Sequence, residues 1–224
     1  QSDREKSQYA RYDIISADPF VKIYSNLNSI KVCEKNQTFH SNDDGLEIVQ
    51  NYINKYSRPY SEIPFIGGAI GYCSYEMDEK KIDNCNLPKI SMGIYDWALI
   101  VDHFLQEAYL VTTNVDEETK KNWSKYIKLL STSTSDKSQK FIVKSEIEDN
   151  SNFEDYRNKF KLVMDYLKEG DCYQINLSKQ YKVLVEGDSW QFYKIFRNSN
   201  KSRYMAFLDF KDFEILSGSP ERFI

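Results

Sequence analysis

Histidine is scarce in this 224-residue sequence: His40 and His103 are the whole complement, far apart in the chain. That scarcity argues against a histidine-based zinc site and against a Ser-His-Asp triad. The four cysteines, Cys33, Cys73, Cys85 and Cys172, are scattered, with no C-x-x-C pair. They read as free thiols of a reducing compartment, so a cytoplasmic location is expected. Basic residues are not in excess either. The 30 Lys and Arg stand against 34 Asp and Glu, giving a formal net charge of -4 and a pI near 5.4. A nucleic-acid or anionic-membrane binder needs a basic face, so neither partner is expected. No apolar run approaches the length of a membrane span. The opening residues, Gln1 to Lys6, are polar and lack the apolar core of a signal peptide. No initiator Met is present, so position 1 is read as lying inside a longer reading frame. There is no G-x-G-x-x-G, no P-loop lysine and no internal repeat, which leaves nucleotide binding without a motif.

Aromatic residues are plentiful, with 17 Tyr and 13 Phe. That suits a large mixed β core and not a disordered chain. The stretch around which the rest is organised is Gly170-Asp171-Cys172-Tyr173-Gln174-Ile175-Asn176-Leu177-Ser178-Lys179-Gln180-Tyr181. A helical pattern stops at Gly170, and a strict alternation follows. Tyr173, Ile175, Leu177, Tyr181, Val183 and Val185 are apolar at odd positions, with Lys179 the exception. Gln174, Asn176, Ser178 and Gln180 are polar and uncharged at even ones. The spacing predicts a half-buried strand whose amides and hydroxyl face either a covering loop or a ligand.

In chain order, Tyr12 to Ala17, Val21 to Tyr24 and Ser29 to Cys33 read as short strands. Asp44 to Tyr56 reads as an amphipathic helix, with N-cap chemistry in Ser41-Asn42-Asp43-Asp44 and apolar spacing at Leu46, Val49, Tyr52, Ile53 and Tyr56. Phe65 to Glu76 sets three glycines among apolar residues, the pattern of tight packing between two sheets, with direct ligand contact the lesser alternative. Ile94 to Asp102 and Ala108 to Thr113 form a strand pair. Asp102 and His103 sit at its turn, where they read as turn residues and not as a catalytic dyad. Asp116 to Leu130 is a second helix with Trp123, Ile127 and Leu130 on one face. Ser131 to Lys140 is the low-complexity linker. Phe141 to Ile147 follows as a strand. Ser151-Asn152-Phe153-Glu154 fits a capping box, ahead of a helix carrying Phe153, Tyr156, Phe160, Val163 and Leu167 on one stripe. Asp188 to Asn198 is another helix. Tyr204 to Asp209 and Glu214 to Ser217 pair as a hairpin about Lys211-Asp212. Phe223-Ile224 reads as the start of a further apolar element, so the chain is expected to be part of a longer one.

Four blocks then carry a resemblance: Phe65-Ile66-Gly67-Gly68-Ala69-Ile70-Gly71-Tyr72, Tyr95-Asp96-Trp97-Ala98-Leu99, Gly170 to Ser178, and Ser219-Pro220-Glu221-Arg222-Phe223. In this order they resemble the chorismate-utilising enzymes, the family of anthranilate synthase component I and aminodeoxychorismate synthase component I. The likeness runs from about Ser7 to the last residue. The Tyr-Gln-Ile-Asn-Leu and Tyr-Asp-Trp-Ala-Leu versions look closer to the aminodeoxychorismate, or para-aminobenzoate, branch.

The resemblance implies an α+β fold of antiparallel sheets packed on each other with flanking helices, incomplete here. It implies an N-terminal αβ region over 1–130, the linker over 131–140, and the start of a chorismate-binding region over 141–224. It implies replacement of the C4 hydroxyl of chorismate by ammonia from a glutamine amidotransferase subunit, toward para-aminobenzoate and folate. Mg2+ would screen the substrate carboxylates. The Mg2+ ligands, the substrate-binding arginine and the lysine nucleophile of the family's Pro-Ile-Lys-Gly-Thr motif would all fall after Ile224. Of the catalytic set Glu221 is here, with an implied acid/base role at the C4 hydroxyl. Its bland alternative is an ion pair beside a turn. Tyr204 and Met205 match the family's tryptophan-pocket segment Asn-Pro-Ser-Pro-Tyr-Met, with Lys201 and Arg203 in place of the prolines. Tryptophan is thus a candidate ligand, and ordinary core packing is the alternative role for both residues. Two alternative functions stand beside the leading one: anthranilate synthase component I, and a non-catalytic module that binds an aromatic ligand or a partner. The 224-residue piece alone is expected to be inactive on chorismate.

Overall fold

Val21, Ile23 and Val32 are fully buried, and the period of two that sets them on one sheet face is what makes their segments strands. The computed structural model describes residues 10–25, 29–35, 37–56, 61–75, 87–132, 139–149 and 151–223. The chain divides into two compact units, 1–135 with 200–224, and 136–199. Most of the Ser131 to Lys140 stretch lies outside the described residues.

The first unit contains β1 (Tyr12–Ile15), β2 (Val21–Ser25), β3 (Ile30–Glu34), β4 (Gln37–Ser41), α1 (Gly45–Lys55), β5 (Gly68–Cys73), β6 (Ile90–Tyr95), β7 (Trp97–Asp102), β8 (Glu107–Thr112) and α2 (Glu117–Ser131). Its larger sheet is antiparallel, in the order β4-β3-β2-β6-β5. A smaller antiparallel sheet runs β1-β7-β8. α1 lays Ile48 and Val49 on Val21, Ile23, Val32, Ile90 and Ile94, with Tyr52 at the margin. Each such side chain removed from water contributes about 1.5–3 kcal/mol before entropy is charged against it.

α1 starts where its sequence says. Asp44 Oδ1 accepts from the Leu46 and Glu47 amides at 2.8 and 3.0 Å, which satisfies two of the open N–H groups of the first turn. Its other end is tied to β3. The Glu34 carboxylate accepts from the Tyr52 and Tyr56 hydroxyls at 2.8 and 2.9 Å and from Lys55 Nζ at 3.3 Å. Burial pushes Glu34 toward the neutral form, and these donors outweigh it, so its pKa lies below the ordinary range.

The stretch Ile94 to Asp102, expected as one strand, is divided between two, β6 and β7. β6 belongs to the large sheet and β7 to the small one, and the chain crosses at Asp96. Asp96 is 1% exposed. Its Oδ2 accepts from the Val115 and Asp116 amides at 3.1 and 2.8 Å, and its Oδ1 from the Thr119 hydroxyl at 2.6 Å. Asp116 in turn caps α2 by accepting from the Thr119 amide at 3.0 Å. α2 turns Thr119 and Tyr126 inward, while Ile127 and Leu130 are exposed. The expected face of Trp123, Ile127 and Leu130 is therefore rotated. Tyr126 is drawn in because it stacks on Trp97 at 4.4 Å and donates to Asp18 Oδ2 at 3.1 Å. Burial first, then Asp18, pushes the Tyr126 hydroxyl up to about 12.

The glycine block is tight for a different reason from the one expected. A Cβ on Gly71 would lie 2.1 Å from the Ser91 carbonyl oxygen and 2.7 Å from Met92 Cα. The close approach is thus to the neighbouring strand β6 of the same sheet, not to a second sheet. Gly67 and Gly68 take φ of 143° and 145°, which L side chains rarely adopt.

Within the second unit lie β9 (Ile142–Val143), β10 (Glu148–Asp149), α3 (Phe153–Glu169), β11 (Tyr181–Lys182), β12 (Val185–Glu186) and α4 (Ser189–Asn200), the last ending at the unit's boundary. β9 pairs with β12 and β10 with β11. The strand expected over Phe141 to Ile147 is only two residues long. α3 is capped by Asn152, whose Oδ1 accepts from the Asp155 amide at 2.9 Å. The Ser151–Glu154 capping box is thus displaced by one residue, and Glu154 pairs with Arg157 at 2.7 Å instead. Gly170 ends the helix in the left-handed region, φ 82°. The long strand expected after it is absent among the described residues: 171–180 has no ladder partner, and pairing starts at Tyr181. Tyr193 is the one residue of this unit classed as buried among those described. The chain returns to the first unit in the hairpin β13 (Tyr204–Asp209) and β14 (Glu214–Ser219), close to the expected bounds. Its loop places Phe210 and Phe213 edge-on to Tyr72, at 5.6 and 5.8 Å between ring centres.

Candidate functional site

The three residues singled out from the sequence meet at one end of this hairpin. Tyr204 pairs with Ser219 and Met205 with Gly218, and Glu221 follows Ser219 by two residues. Ser219 Oγ accepts from the Glu221 amide at 3.2 Å and donates to the Glu221 carbonyl at 2.8 Å. This small turn fixes the backbone of Glu221 and leaves its exposed carboxylate available. Tyr204 and Met205 are half-buried.

The strand β13 is entered through a loop tied to its partner. Asn200 Nδ2 donates to the Gly218 carbonyl at 3.2 Å, and Asn200 Oδ1 accepts from the Ser202 hydroxyl at 3.0 Å. Lys201 holds φ at 50°. Proline is locked near -65°, so a proline could not occupy position 201 in this conformation. Replacement of proline by lysine here changes the path of the loop, not only its charge.

Other polar constellations of the first unit are structural. Asp102, 1% exposed, takes Arg11 Nη2 at 2.6 Å and Nε at 2.9 Å on one oxygen, and the Phe104 and Leu105 amides at 2.9 and 3.0 Å on the other. Arg11 first, then the turn amides against an opposing effect of burial, pull its carboxyl down to about 2. His103 Nε2 lies 2.9 Å from Asp13 Oδ2. Asp102 and His103 thus anchor β1 to the β7–β8 turn, in keeping with their reading as turn residues. No local signal could have named Arg11 as the partner, since 91 positions separate the two. Asp96 belongs to the Tyr-Asp-Trp-Ala-Leu block, but its partners lie 19 to 23 positions downstream, so no local signal marks it as the anchor of α2. A shallow cleft between the end of α1 and Gly67–Gly68 is lined by none of the three hairpin residues.

In the second unit, Lys179 explains its break with the alternation. It pairs with Asp149 at 2.5 Å and lies over the Tyr181 and Tyr156 rings at 5.2 and 5.9 Å. Gln174 Nε2 reaches Asn176 Oδ1 at 3.5 Å, and Gln174, Asn176 and Ser178 are exposed.

The profile described as chorismate binding enzyme matches residues 5–224. The chain belongs to the chorismate-binding enzyme family. Aminodeoxychorismate synthase component 1 of Salmonella typhimurium (strain LT2) is 33% identical over 226 residues, covering 96% of this chain and 48% of that protein. The Escherichia coli (strain K12) protein of the same name is 32% identical, with the same coverage. Anthranilate synthase component 1 of Bacillus subtilis (strain 168) is 28% identical over 257 residues, covering 100% of this chain and 49% of that one. Anthranilate synthase component I from Streptococcus pneumoniae TIGR4 superposes with a TM-score of 0.74 at 23% identity, covering 96% of this chain and 52% of that one. The fold is thus α+β and anthranilate synthase component I-like. The chain spans about half the length of the curated relatives it matches, in line with the N-terminal half expected from the motifs.

Among the described residues, no group of three or more His, Cys, Asp or Glu is placed to hold a metal ion. No helix among the described residues is long and apolar enough to cross a membrane.

Proposed function

We propose that this chain is the N-terminal portion of an aminodeoxychorismate synthase component 1. The carrying observation is the similarity over 96% of the chain, 33% and 32% to two proteins of that name against 28% to an anthranilate synthase of matched coverage. The reaction joins ammonia to chorismate with net loss of the C4 hydroxyl as water. Ammonia would come from a glutamine amidotransferase subunit and the product would be 4-amino-4-deoxychorismate, in the cytoplasm. Glu221 is the residue of this chain to which we assign proton transfer. A carboxyl group on a fixed turn at the hairpin's end can protonate the departing hydroxyl and accept a proton on return. Mg2+, where it binds, would offset the charge of the substrate carboxylates, held by residues other than those described here. Tyr204 and Met205, in register with Ser219 and Gly218, would either line a tryptophan pocket or pack the hairpin. The backbone at Lys201 speaks against the proline-stiffened tryptophan pocket of the family.

The deciding experiment is product analysis by mass spectrometry. The 224-residue chain and a form extended to the next stop codon are each incubated with chorismate, Mg2+ and ammonium. Aminodeoxychorismate from the extended form alone is the expected result. Anthranilate would move the assignment to the second branch, and turnover by the short chain would overturn the account of which residues are required. In the extended form, Glu221→Gln should lower turnover by roughly 10²–10⁴-fold, the usual worth of a positioned acid or base, with Tm unchanged.

A further inference from the structure

Glu221 is exposed, yet its main chain is held on both sides. One hydroxyl, Ser219 Oγ, accepts from the Glu221 amide at 3.2 Å and donates to the Glu221 carbonyl at 2.8 Å. Pro220 between them has a locked φ. What remains free to swing is the strand end that carries Ser219, and that end is gripped from the entry to β13. Asn200, the last residue of α4, donates from Nδ2 to the Gly218 carbonyl at 3.2 Å. That carbonyl belongs to the planar peptide unit leading into Ser219, so holding it fixes the plane from which the turn departs. The Asn200 amide is itself oriented, because its Oδ1 accepts from the Ser202 hydroxyl at 3.0 Å. These contacts enclose Lys201, whose φ of 50° is uncommon for a residue with a side chain and persists where surrounding bonds impose it. Asn200 and Ser202 lie outside the hairpin ladder, which runs from Tyr204–Ser219 to Asp209–Glu214. Their grip falls on the end next to Glu221.

We propose that Asn200 is a positioning residue for Glu221. It works through the Gly218 peptide and the Ser219 turn, not by contact with the reacting atoms. This rests on the reading of Glu221 as the group that moves a proton at the C4 hydroxyl. Such a transfer needs the two heavy atoms within about 2.6–3.2 Å of each other, and a misplacement of about 1 Å can cost a hundredfold in rate. The long side chain of glutamate magnifies any tilt at its Cα, so the backbone is where that error is prevented. The segment from Asn200 to Tyr204 thus has a task that needs no bound tryptophan.

A double-mutant cycle in the form extended to the next stop codon tests this, with chorismate, Mg2+ and ammonium as substrates and cation. Asn200→Ala should lower kcat by about ten- to a hundredfold with KM unchanged. Asn200→Asp has nearly the same shape. It keeps the oxygen for Ser202 and removes the donor to Gly218, so it should act like Asn200→Ala with Tm unchanged. In the Glu221→Gln background no titratable proton remains to be placed, and there Asn200→Ala should lower the residual rate by less than about twofold. A loss of equal factor in both backgrounds would mean general damage and overturn the proposal, as would an unchanged kcat in both Asn200 variants. Turnover left intact by Glu221→Gln alone would remove the acid/base reading, and this proposal with it. Product identity is read in the same assay, so the choice of branch is decided separately from the cycle. A second measurement needs no turnover. Hydrogen exchange at the Glu221 amide, read by NMR in the extended form, should be about three- to tenfold faster in Asn200→Ala than in the parent, with the β2 and β6 amides unchanged. Equal exchange at Glu221 in the two overturns the proposal whatever the product.

Discussion

Replacing Asp96 separates two accounts of the Tyr-Asp-Trp-Ala-Leu block, one in which it marks a family and one in which it builds the unit. The carboxylate takes three hydrogen bonds in a site that is 1% exposed, two from amides ahead of α2 and one from Thr119 inside it. Asp96→Ala leaves all three donors facing a methyl group. Each orphaned donor costs about 1–3 kcal/mol, and since only the Val115 amide is part-exposed and able to recruit water, the sum is about 4 kcal/mol. Asp96→Asn should behave differently. Its amide oxygen can take both backbone N–H groups while its NH2 donates to a reversed Thr119 hydroxyl. What remains lost is the charge-assisted part, about 1–2 kcal/mol. In the Asn background, Thr119→Val should then cost more than the Val change removes elsewhere on α2, because it strands the new NH2.

Trp97 is a reporter for this, because it stacks on Tyr126 of α2 at 4.4 Å. With Trp123 and Trp190 changed to Phe, urea unfolding followed by its fluorescence reads α2 docking on the small sheet. With a slope of about 2 kcal/mol per M, Asp96→Ala should lower the midpoint by about 2 M and Asp96→Asn by less than about 1 M. Equal, small shifts for both variants would refute the argument that the three donors depend on this carboxylate.

Gly71→Ala should cost about 2–3 kcal/mol, because its Cβ would meet the Ser91 oxygen and Met92 Cα of β6, backbone atoms that cannot swing away; a thermal melt of the chain checks it. Lys201→Pro should destabilise the hairpin by about 2–3 kcal/mol, since φ of 50° is closed to proline, whereas Lys201→Gly should stay within about 1 kcal/mol of the parent; Tm of the two variants decides. The Arg11–Asp102 pair makes stability fall in acid. Because the folded carboxyl is lowered to about 2 and the unfolded one lies near ~3.9, its contribution is complete above the unfolded value and fades as pH drops toward the folded one. Tm against pH over that window should therefore be steeper for the parent than for Arg11→Met, and parallel curves would show that the pair is not the cause.

How far the sequence could be read depended on where each decision was made. α1 was legible because its cap, Asp44, and its apolar positions lie within a dozen residues, so a local pattern contains the whole argument. The hairpin β13–β14 was legible for the same reason. β4 was missed because Gln37–Ser41 is an exposed edge strand with no alternation to see. The division of Ile94–Asp102 between two strands was missed because Ile94 to Val101 is apolar but for Asp96, and what splits it is a set of donors near twenty residues downstream. The inward face of α2 was misjudged because Ile127 and Leu130 are the more apolar choice, and only the distant Trp97 and Asp18 select Tyr126. Site legibility was of another kind. Nothing in the physics of Ser219-Pro220-Glu221 marks a catalytic acid; the match to a family motif did. What the structure adds is that Tyr204, Met205 and Glu221, found in two separate motifs, converge on one hairpin end.

The alternation after Gly170 is the instructive case, because pattern and structure disagree while both are informative. A period of two records which face of a segment evolved to be buried, whichever polypeptide does the burying. A ladder records only the partners present. Where the two coincide, as in β2 and β3, the sheet is self-sufficient, and its inward residues Val21, Ile23 and Val32 are fully buried. Where they part, as over 173–178, the alternation extends beyond the ladder, which among the described residues starts at Tyr181. Among the described residues, eleven of the twelve buried hydrophobic side chains belong to the first unit, and Tyr193 belongs to the second.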